Sequence, residues 1–257
     1  MYDAPDELEF PPTSLKGQLG HALASAWSYG SLRPTYASHH ESKWFIPLDE
    51  LDRIIAEDSV KTEVESWDIF SDQDDIIRLV HDIIRVHSFY DKSGLNDSSE
   101  PSGQKRFTRQ KLFAILILIG KPQIIIELVN AGIYDAHLPF RYTDGRMKIQ
   151  RSTNKDLTTI YSFEKWNNRD FDLFQMYQWY MLAPRFNFRS KDVPIVHRYL
   201  LDKMTPLPFV NDEHRPSMYR EDGAVRGVTN GVVRRVRIHP AHYRSLGNVV
   251  SRIYFKN

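Results

Sequence analysis

The hydrophobic positions of the chain follow the spacing of helices as far as residue 184. A first helix carries its apolar residues on one stripe and begins after Thr13 or Ser14, either of which can cap it. That stripe consists of Leu15, Leu19, Leu23, Ala26 and Trp27. Pro47 opens a second, short helix. Ser71-Asp-Gln-Asp74 resembles a capping box, and the helix after it repeats Ile76, Ile77, Val80, Ile83, Ile84 and His87.

The most hydrophobic stretch, Leu112 to Ile119, predicts a buried helix. Thr108 can cap it, and Gly120 can end it in the left-handed conformation that glycine adopts without strain. Pro122 then opens another helix, which Gly132 closes, so that the two form a helical hairpin. Because the first of them is apolar all round, we expect it at the centre of the core.

The pattern changes after the last predicted helix, which Asn168 starts and Pro184 ends. From about residue 193, short β-favouring runs are broken by proline and asparagine. We therefore predict a mainly α fold with a small β part, in the α+β class. The expected divisions are a flexible arm over 1–12, a helical domain over 13–192, an extended linker over 193–217 and a β-rich segment over 218–257.

Composition narrows the class of protein. The 257 residues include no cysteine, which excludes a disulfide framework, a thiolate zinc site and a cysteine nucleophile. The longest apolar run is too short to cross a bilayer. We therefore expect an intracellular protein, in the cytoplasm or nucleus, with no membrane partner.

Charge is distributed unevenly along the chain. Residues 1–100 contain 8 Lys and Arg against 20 Asp and Glu, whereas residues 101–220 contain 19 against 11. Residues 221–257 contain 7 against 2. An acidic front and a basic back suggest two surfaces that attract each other or attract charged partners, although solvated helix faces are the simpler interpretation.

Two short motifs imitate chemical sites. Gly120-Lys-Pro122 resembles the end of a P-loop, but Ile115 stands at the first glycine position and proline follows the lysine, so a helix C-cap explains it better. His239 and His242 have a spacing that metal sites use, but no third ligand accompanies them. We expect local hydrogen bonds there and no metal.

Two clusters leave alternatives open. The basic one could be a solvated strand face, a contact for an acidic protein or, least favoured, a nucleic-acid site; it consists of Arg234, Arg235, Arg237, Tyr243 and Arg244. The aromatic one predicts core packing, with a peptide groove as the alternative; it consists of Trp166, Tyr177, Trp179 and Tyr180.

A series of short motifs follows in order along the chain: Lys111-Leu-Phe-Ala-Ile-Leu-Ile-Leu-Ile-Gly120, Asp135-Ala-His-Leu-Pro139, Gln178-Trp-Tyr-Met-Leu-Ala-Pro184, Leu207-Pro-Phe209 and Arg234-Arg-Val-Arg-Ile-His-Pro-Ala-His242. Together they resemble a family of fungal protein kinase-like proteins, over most of residues 48–257. The resemblance implies a helical N-terminal region followed by a kinase domain, whose second strand runs into the Ile-His-Pro-x-His element.

Within this resemblance, the nucleotide-binding loop is degenerate. Gly231 matches the third glycine of the kinase loop, and Val233 matches the valine that packs on adenine. Arg226 and Val228 occupy the first two glycine positions, and Ser251 stands where the phosphate-gripping lysine belongs. The segment 218–257 is therefore expected to be a partial, degenerate kinase N-lobe.

The catalytic motifs of a kinase do not occur in the sequence. It contains neither a His-Arg-Asp loop nor an Asp-Phe-Gly, which position the base and the metal ions for phosphoryl transfer. We therefore expect a truncated, non-catalytic regulatory or interaction module with no catalytic residues, no cofactor and an unidentified protein partner. The alternatives are a fragment of an active Ser/Thr-type kinase, for which ATP and Mg²⁺ would need the full domain, and a nucleic-acid binder that uses the basic tail.

Overall fold

The computed structural model describes residues 13–29, 44–85, 87–90, 104–143, 145–150, 157–188, 201–210 and 237–245. The helices of this part are α1 Leu15–Tyr29, α2 Leu48–Ile54, α3 Glu57–Glu65, α4 Gln73–Ile84, α5 Gln110–Ile119, α6 Ile124–Asn130 and α7 Asn168–Tyr180. The strands are β1 His87–Tyr90, β2 Gln104–Phe107, β3 Arg141–Thr143, β4 Arg146–Gln150, β5 Leu157–Thr159, β6 Phe186–Phe188, β7 Phe209–Val210, β8 Arg237–Ile238 and β9 Tyr243–Ser245. Three 3₁₀ turns span Asp135–His137, Tyr161–Phe163 and Pro240–His242.

The strands form small, separate pairings around the helices. Strands β1 and β2 make an antiparallel pair, and β3, β4 and β5 make an antiparallel sheet in that order. Strand β7 pairs with β8 antiparallel, and β6 pairs with β9 parallel. The described part is thus mainly α with a small β part, which confirms the predicted α+β class. Within it, no helix is both long enough and apolar enough to cross a membrane.

Helix α5 lies at the centre of the core, as its sequence predicts. Every side chain from Leu112 to Leu118 is buried. Helices α1, α2, α4, α6 and α7 all contact α5, so that no face of it meets solvent over this stretch. Burial of each large apolar side chain stabilises the fold by roughly 1.5–3 kcal/mol, which makes α5 the largest single contributor to the core.

The predicted ends of several helices agree with the structure. Ser14 caps α1, since its hydroxyl accepts a hydrogen bond of 3.0 Å from the N–H of Gly17. Gly120 ends α5 with φ of +85°, and Gly132 follows α6 with φ of +65°. Asn167 caps α7 through a bond of 3.0 Å from the N–H of Asp170. Glycine is required at positions 120 and 132 because any side chain would be strained at these positive φ values.

The helix after residue 71 differs from its prediction. The cap is Asp72 rather than Ser71, because the Asp72 carboxylate accepts the N–H of Asp74 at 2.9 Å. Ile77 is 39% exposed, although it belongs to the apolar repeat, and His87 lies in β1 beyond the helix end. The buried residues Ile76, Leu79, Val80 and Ile83 follow i, i+3, i+4 and i+7 spacing, which leaves Ile77 outside the buried stripe.

The C-terminal described segment is packed against the helical region. Strand β9 pairs with β6, which follows α7, and the N–H of His239 donates to the carbonyl of Pro208 at 2.8 Å. Ile238 and His242 are buried. The predicted domain boundaries and the ATP-loop positions Gly231, Val233 and Ser251 lie outside the described residues. Those assignments therefore stay predictions.

Candidate functional site

The amino end of α5 is held by a carboxylate from a distant turn. One oxygen of Asp135 accepts the N–H of Leu112 at 2.9 Å. The other accepts the N–H of Lys111 at 3.1 Å and the hydroxyl of Thr108 at 2.7 Å. A carboxylate at a helix amino end accepts hydrogen bonds from N–H groups that have no partner within the helix. Its negative charge is also attracted to the positive end of the helix dipole. The prediction that Thr108 caps α5 is therefore wrong: Arg109 is at the cap position, and the Thr108 hydroxyl instead donates to the Asp135 carboxylate.

Arg109 fixes the chain just before α5. Its side chain is 2% exposed, and its guanidinium donates to the carbonyls of Ile133 at 2.7 Å and Asp82 at 2.8 Å. The guanidinium carbon also lies 3.8 Å from the centre of the Tyr134 ring. A planar cation with several donors can tie these three segments together at one point. Arg109 is therefore a buried structural cation.

Burial perturbs the titration of the charged groups around this end of α5. It raises the pKa of Asp135, against the opposing effect of the hydrogen bonds from Leu112 and Thr108. It lowers the pKa of Lys111, against the opposing charges of Asp135 and Asp52. Burial also raises the pKa of Asp52, which Arg185 partly opposes. Such shifts are common at catalytic sites, but structural networks produce them too.

His242 joins the C-terminal segment to the start of α2. Its ring is fully buried, and its Nε2 accepts the N–H of Leu48 at 3.2 Å. Nδ1 must then carry the proton of the neutral ring, which it donates to the carbonyl of Pro184 at 3.0 Å. The ring of Phe45 stands edge-on at 5.3 Å. Burial lowers the pKa of His242 to about 4, so the ring is neutral at physiological pH.

His239 makes the turn that presents His242. Its Nδ1 accepts the N–H of Ala241 at 3.3 Å, and burial lowers the pKa of His239 as well. The local hydrogen bond predicted for the His-Pro-Ala-His element is present at His239, whereas the ring of His242 bonds to the distant residues Leu48 and Pro184. Within the described residues, no group of three His, Asp or Glu side chains is placed to hold a metal ion.

These groups hold the fold together rather than form an open reaction centre. The oxygens of Asp135, the guanidinium of Arg109 and both nitrogens of His242 are engaged with backbone groups. Sequence reasoning missed Asp135 and Arg109, because the backbone groups that they bond lie more than twenty positions away along the chain. Trp166 is buried in the core, as predicted, whereas Tyr177 and Tyr180 are only partly buried.

A second candidate site is an exposed surface on α3, α4 and the loop between them, here called the acidic face. Its residues 57–78 contain two basic residues, Lys61 and Arg78, and eight carboxylates: Glu57, Asp58, Glu63, Glu65, Asp68, Asp72, Asp74 and Asp75. Two large apolar side chains stand out among them, Ile69 at 52% and Ile77 at 39% exposure. Large exposed apolar residues within a polar rim are typical of interaction surfaces.

The backbone at the acidic face has one unusual conformation. Asp68 has φ of +52°, a left-handed value that side-chain-bearing residues adopt at a cost and that Asp tolerates better than most. The turn directs the chain so that Ile69 follows it into solvent while the neighbouring Trp67 packs on the core, 6.3 Å from the ring of Phe113. The exposed isoleucine is thus fixed by local geometry.

Comparisons with known proteins add no identity: no family model, no curated protein and no solved structure matches this chain.

Proposed function

We propose that this chain is a non-catalytic interaction module that binds a basic protein segment on its acidic face. The observation that carries the proposal is the coincidence of eight carboxylates with exposed Ile69 and Ile77 on one short stretch. Like charges crowded on one surface repel one another and destabilise it, and a cationic partner relieves that repulsion. The isoleucines would supply the desolvated centre of the contact, with the carboxylates as its rim.

The test uses an amphipathic helical peptide that has lysine on one face and leucine on the other. Its binding to the chain is followed by fluorescence anisotropy. We expect saturable binding that weakens as salt is raised, because the rim charges are exposed to solvent. The double variant Ile69→Gln/Ile77→Gln should weaken binding about tenfold or more. Leu201→Gln is the matched control, since Leu201 is 40% exposed but lies away from these helices in sequence. Equal losses in both variants, or no binding at low salt, would contradict the proposal.

We further propose that the element resembling a kinase strand, Ile238 to His242, serves here as a structural wedge. The support is that His242 bonds to the backbone of the helical region at Leu48 and Pro184, and that the N–H of His239 donates to the carbonyl of Pro208. The altered positions Arg226, Val228 and Ser251 also favour a chain that does not hold ATP.

Nucleotide binding is tested by thermal unfolding in the presence of ATP and Mg²⁺. Any ligand of the native state raises the unfolding temperature by mass action, so we expect no saturable rise. Mg²⁺ without ATP is the negative control. A saturable rise with ATP would support instead the fragment of an active kinase.

A further inference from the structure

A cleft of about 410 Å³ lies at the carboxyl end of α5, between α1 and α7. Its volume falls in the range that small-molecule sites occupy. It is lined by Lys16, Leu118, Ile119, Asn167, Arg169, Asp170, Leu173 and Tyr177. None of these residues belongs to the acidic face, so the cleft needs an explanation of its own.

Two cations give the cleft a positive charge. Arg169 is exposed, and within the described part of the chain its guanidinium takes part in no hydrogen bond or ion pair. Lys16 is partly buried, which lowers its pKa, and its ammonium lies near the turn of Gly120 at the negative end of α5. The one carboxylate in the lining, Asp170, is neutralised by Lys121 at 3.1 Å.

The amino end of α7 is already closed and does not supply the charge of the cleft. Asn167 accepts the N–H of Asp170 at 3.0 Å, and Asp170 accepts the N–H of Asn167 at 3.3 Å. This reciprocal cap occupies the helix end. Recognition of an anion would therefore depend on the side chains of Lys16 and Arg169.

Part of the cleft lining is apolar. Leu118 and Ile119 come from α5 and Leu173 comes from α7. The phenol of Tyr177 completes the lining, and burial raises the pKa of Tyr177, so it keeps its proton and can donate a hydrogen bond. A charged part and an apolar part side by side suit a ligand that has both.

We propose that this cleft binds a small organic anion, with its head group between Lys16 and Arg169 and its apolar body against Leu118, Ile119 and Leu173. A carboxylate or a phosphate monoester fits the head position, because either accepts the paired donors of a guanidinium. This site goes beyond the proposed protein contact, and neither depends on the other.

Three naphthalene probes test the site on the full chain by calorimetry: 2-naphthoate, 2-naphthyl phosphate and the neutral 2-naphthamide. We expect at least one anion to bind with a dissociation constant of about a millimolar or below, and the amide to bind about tenfold more weakly. The preferred anion identifies the head group. Failure of both anions to bind, or equal affinity for the amide, would overturn the proposal.

Matched variants localise the binding. Arg169→Gln removes the exposed cation of the cleft, whereas Arg141→Gln removes an exposed arginine of β3 outside it. We expect the first to weaken the preferred anion about tenfold and the second to leave its affinity unchanged. Equal effects of the two variants would show non-specific attraction and would sink the assignment. Because Arg169 makes no described contact, its replacement is not expected to unfold the chain.

Discussion

The two ends of α5 differ in whether the charged side chains near them are hydrogen-bonded within the fold or exposed beside a cleft. At the amino end, Asp135 and Arg109 make five hydrogen bonds to groups of the fold, four of them to backbone groups. At the carboxyl end, Arg169 lines an open cleft, and within the described residues its guanidinium takes part in no hydrogen bond or ion pair. A charge with fixed partners stabilises the fold, whereas an exposed charge such as that of Arg169 is available to a ligand.

The difference follows from how each end satisfies its backbone. The carboxyl end needs no outside help, because Gly120 and Lys121 return their N–H groups to the carbonyls of Leu116 and Ile117. The amino end has no side-chain cap of its own, since Arg109 occupies the cap position. Its N–H groups are instead bonded by Asp135, which belongs to a later turn. As a result, the charged groups of Asp135 and Lys111 are buried.

The largest effect is expected from Arg109→Met, which keeps the apolar volume and removes the donors. The carbonyls of Ile133 and Asp82 would lose their partners in a buried place, at a cost of about 3 kcal/mol in the free energy of unfolding. Urea denaturation measures it. Arg53→Met is the control, because the exposed pair of Arg53 with Glu50 contributes at most about 1 kcal/mol. Similar losses in both would break the distinction between a structural and a surface charge.

Asp135→Ala should lower the free energy of unfolding by about 2 kcal/mol, since it leaves the N–H groups of Lys111 and Leu112 without their acceptor. Asp135→Asn keeps one acceptor oxygen and should recover part of that loss. The comparison is again made by urea denaturation. If the alanine variant were as stable as the parent, the helix end would not depend on the borrowed carboxylate.

Acid should weaken the attachment of the C-terminal segment through His242. Its pKa is about 4 in the fold against 6.5 unfolded, so the folded state binds the proton less readily. The stability it contributes is complete above about pH 6.5 and is lost as the pH falls toward 4. Between pH 7 and pH 5 the loss is about 2 kcal/mol.

Burial sets the direction of this effect on the pKa of His242. The hydrogen bond to the Pro184 carbonyl and the charge of Asp49 favour protonation, and burial outweighs them with the help of His239 and Lys111. An NMR titration of the ring measures the pKa directly, and His242→Gln should flatten the pH dependence of unfolding between 7 and 5. A ring that titrates near 6.5 would contradict the neutral, doubly bonded state.

The core was predictable from sequence because its signal is local. The run Leu112 to Ile119 is apolar on every side, and Gly120 follows it, so both the burial and the end of α5 could be predicted. Helix α3 was missed because Glu57–Glu65 is polar except for Val60 and Val64, which are its buried positions. Two apolar residues are too few to reveal a period.

The sites were less predictable because their partners meet only in the fold. Asp135 follows the residues it caps by more than twenty positions, and His242 bonds to Leu48 from 194 positions away. No spacing rule connects such pairs. The cleft combines Lys16 with Arg169 for the same reason. The resemblance to kinase-like proteins rests on short motifs, and Gly231, Val233 and Ser251 stay predictions.

The smallest effect on stability is expected from alanine substitution of two glycines that lie in left-handed turns. Alanine at Gly120 or at Gly132 should each cost about 1 kcal/mol, because both positions have positive φ. A Cβ at Gly120 would stand 3.7 Å from the ammonium of Lys16, an ordinary contact, and at Gly132 it would meet nothing within 4 Å. We therefore expect equal costs in thermal unfolding, because an ordinary contact requires no rearrangement around Gly120. A clearly larger cost at Gly120 would mean that the carboxyl end of α5 is packed as tightly as its amino end, and the contrast between the two ends of α5 would fail.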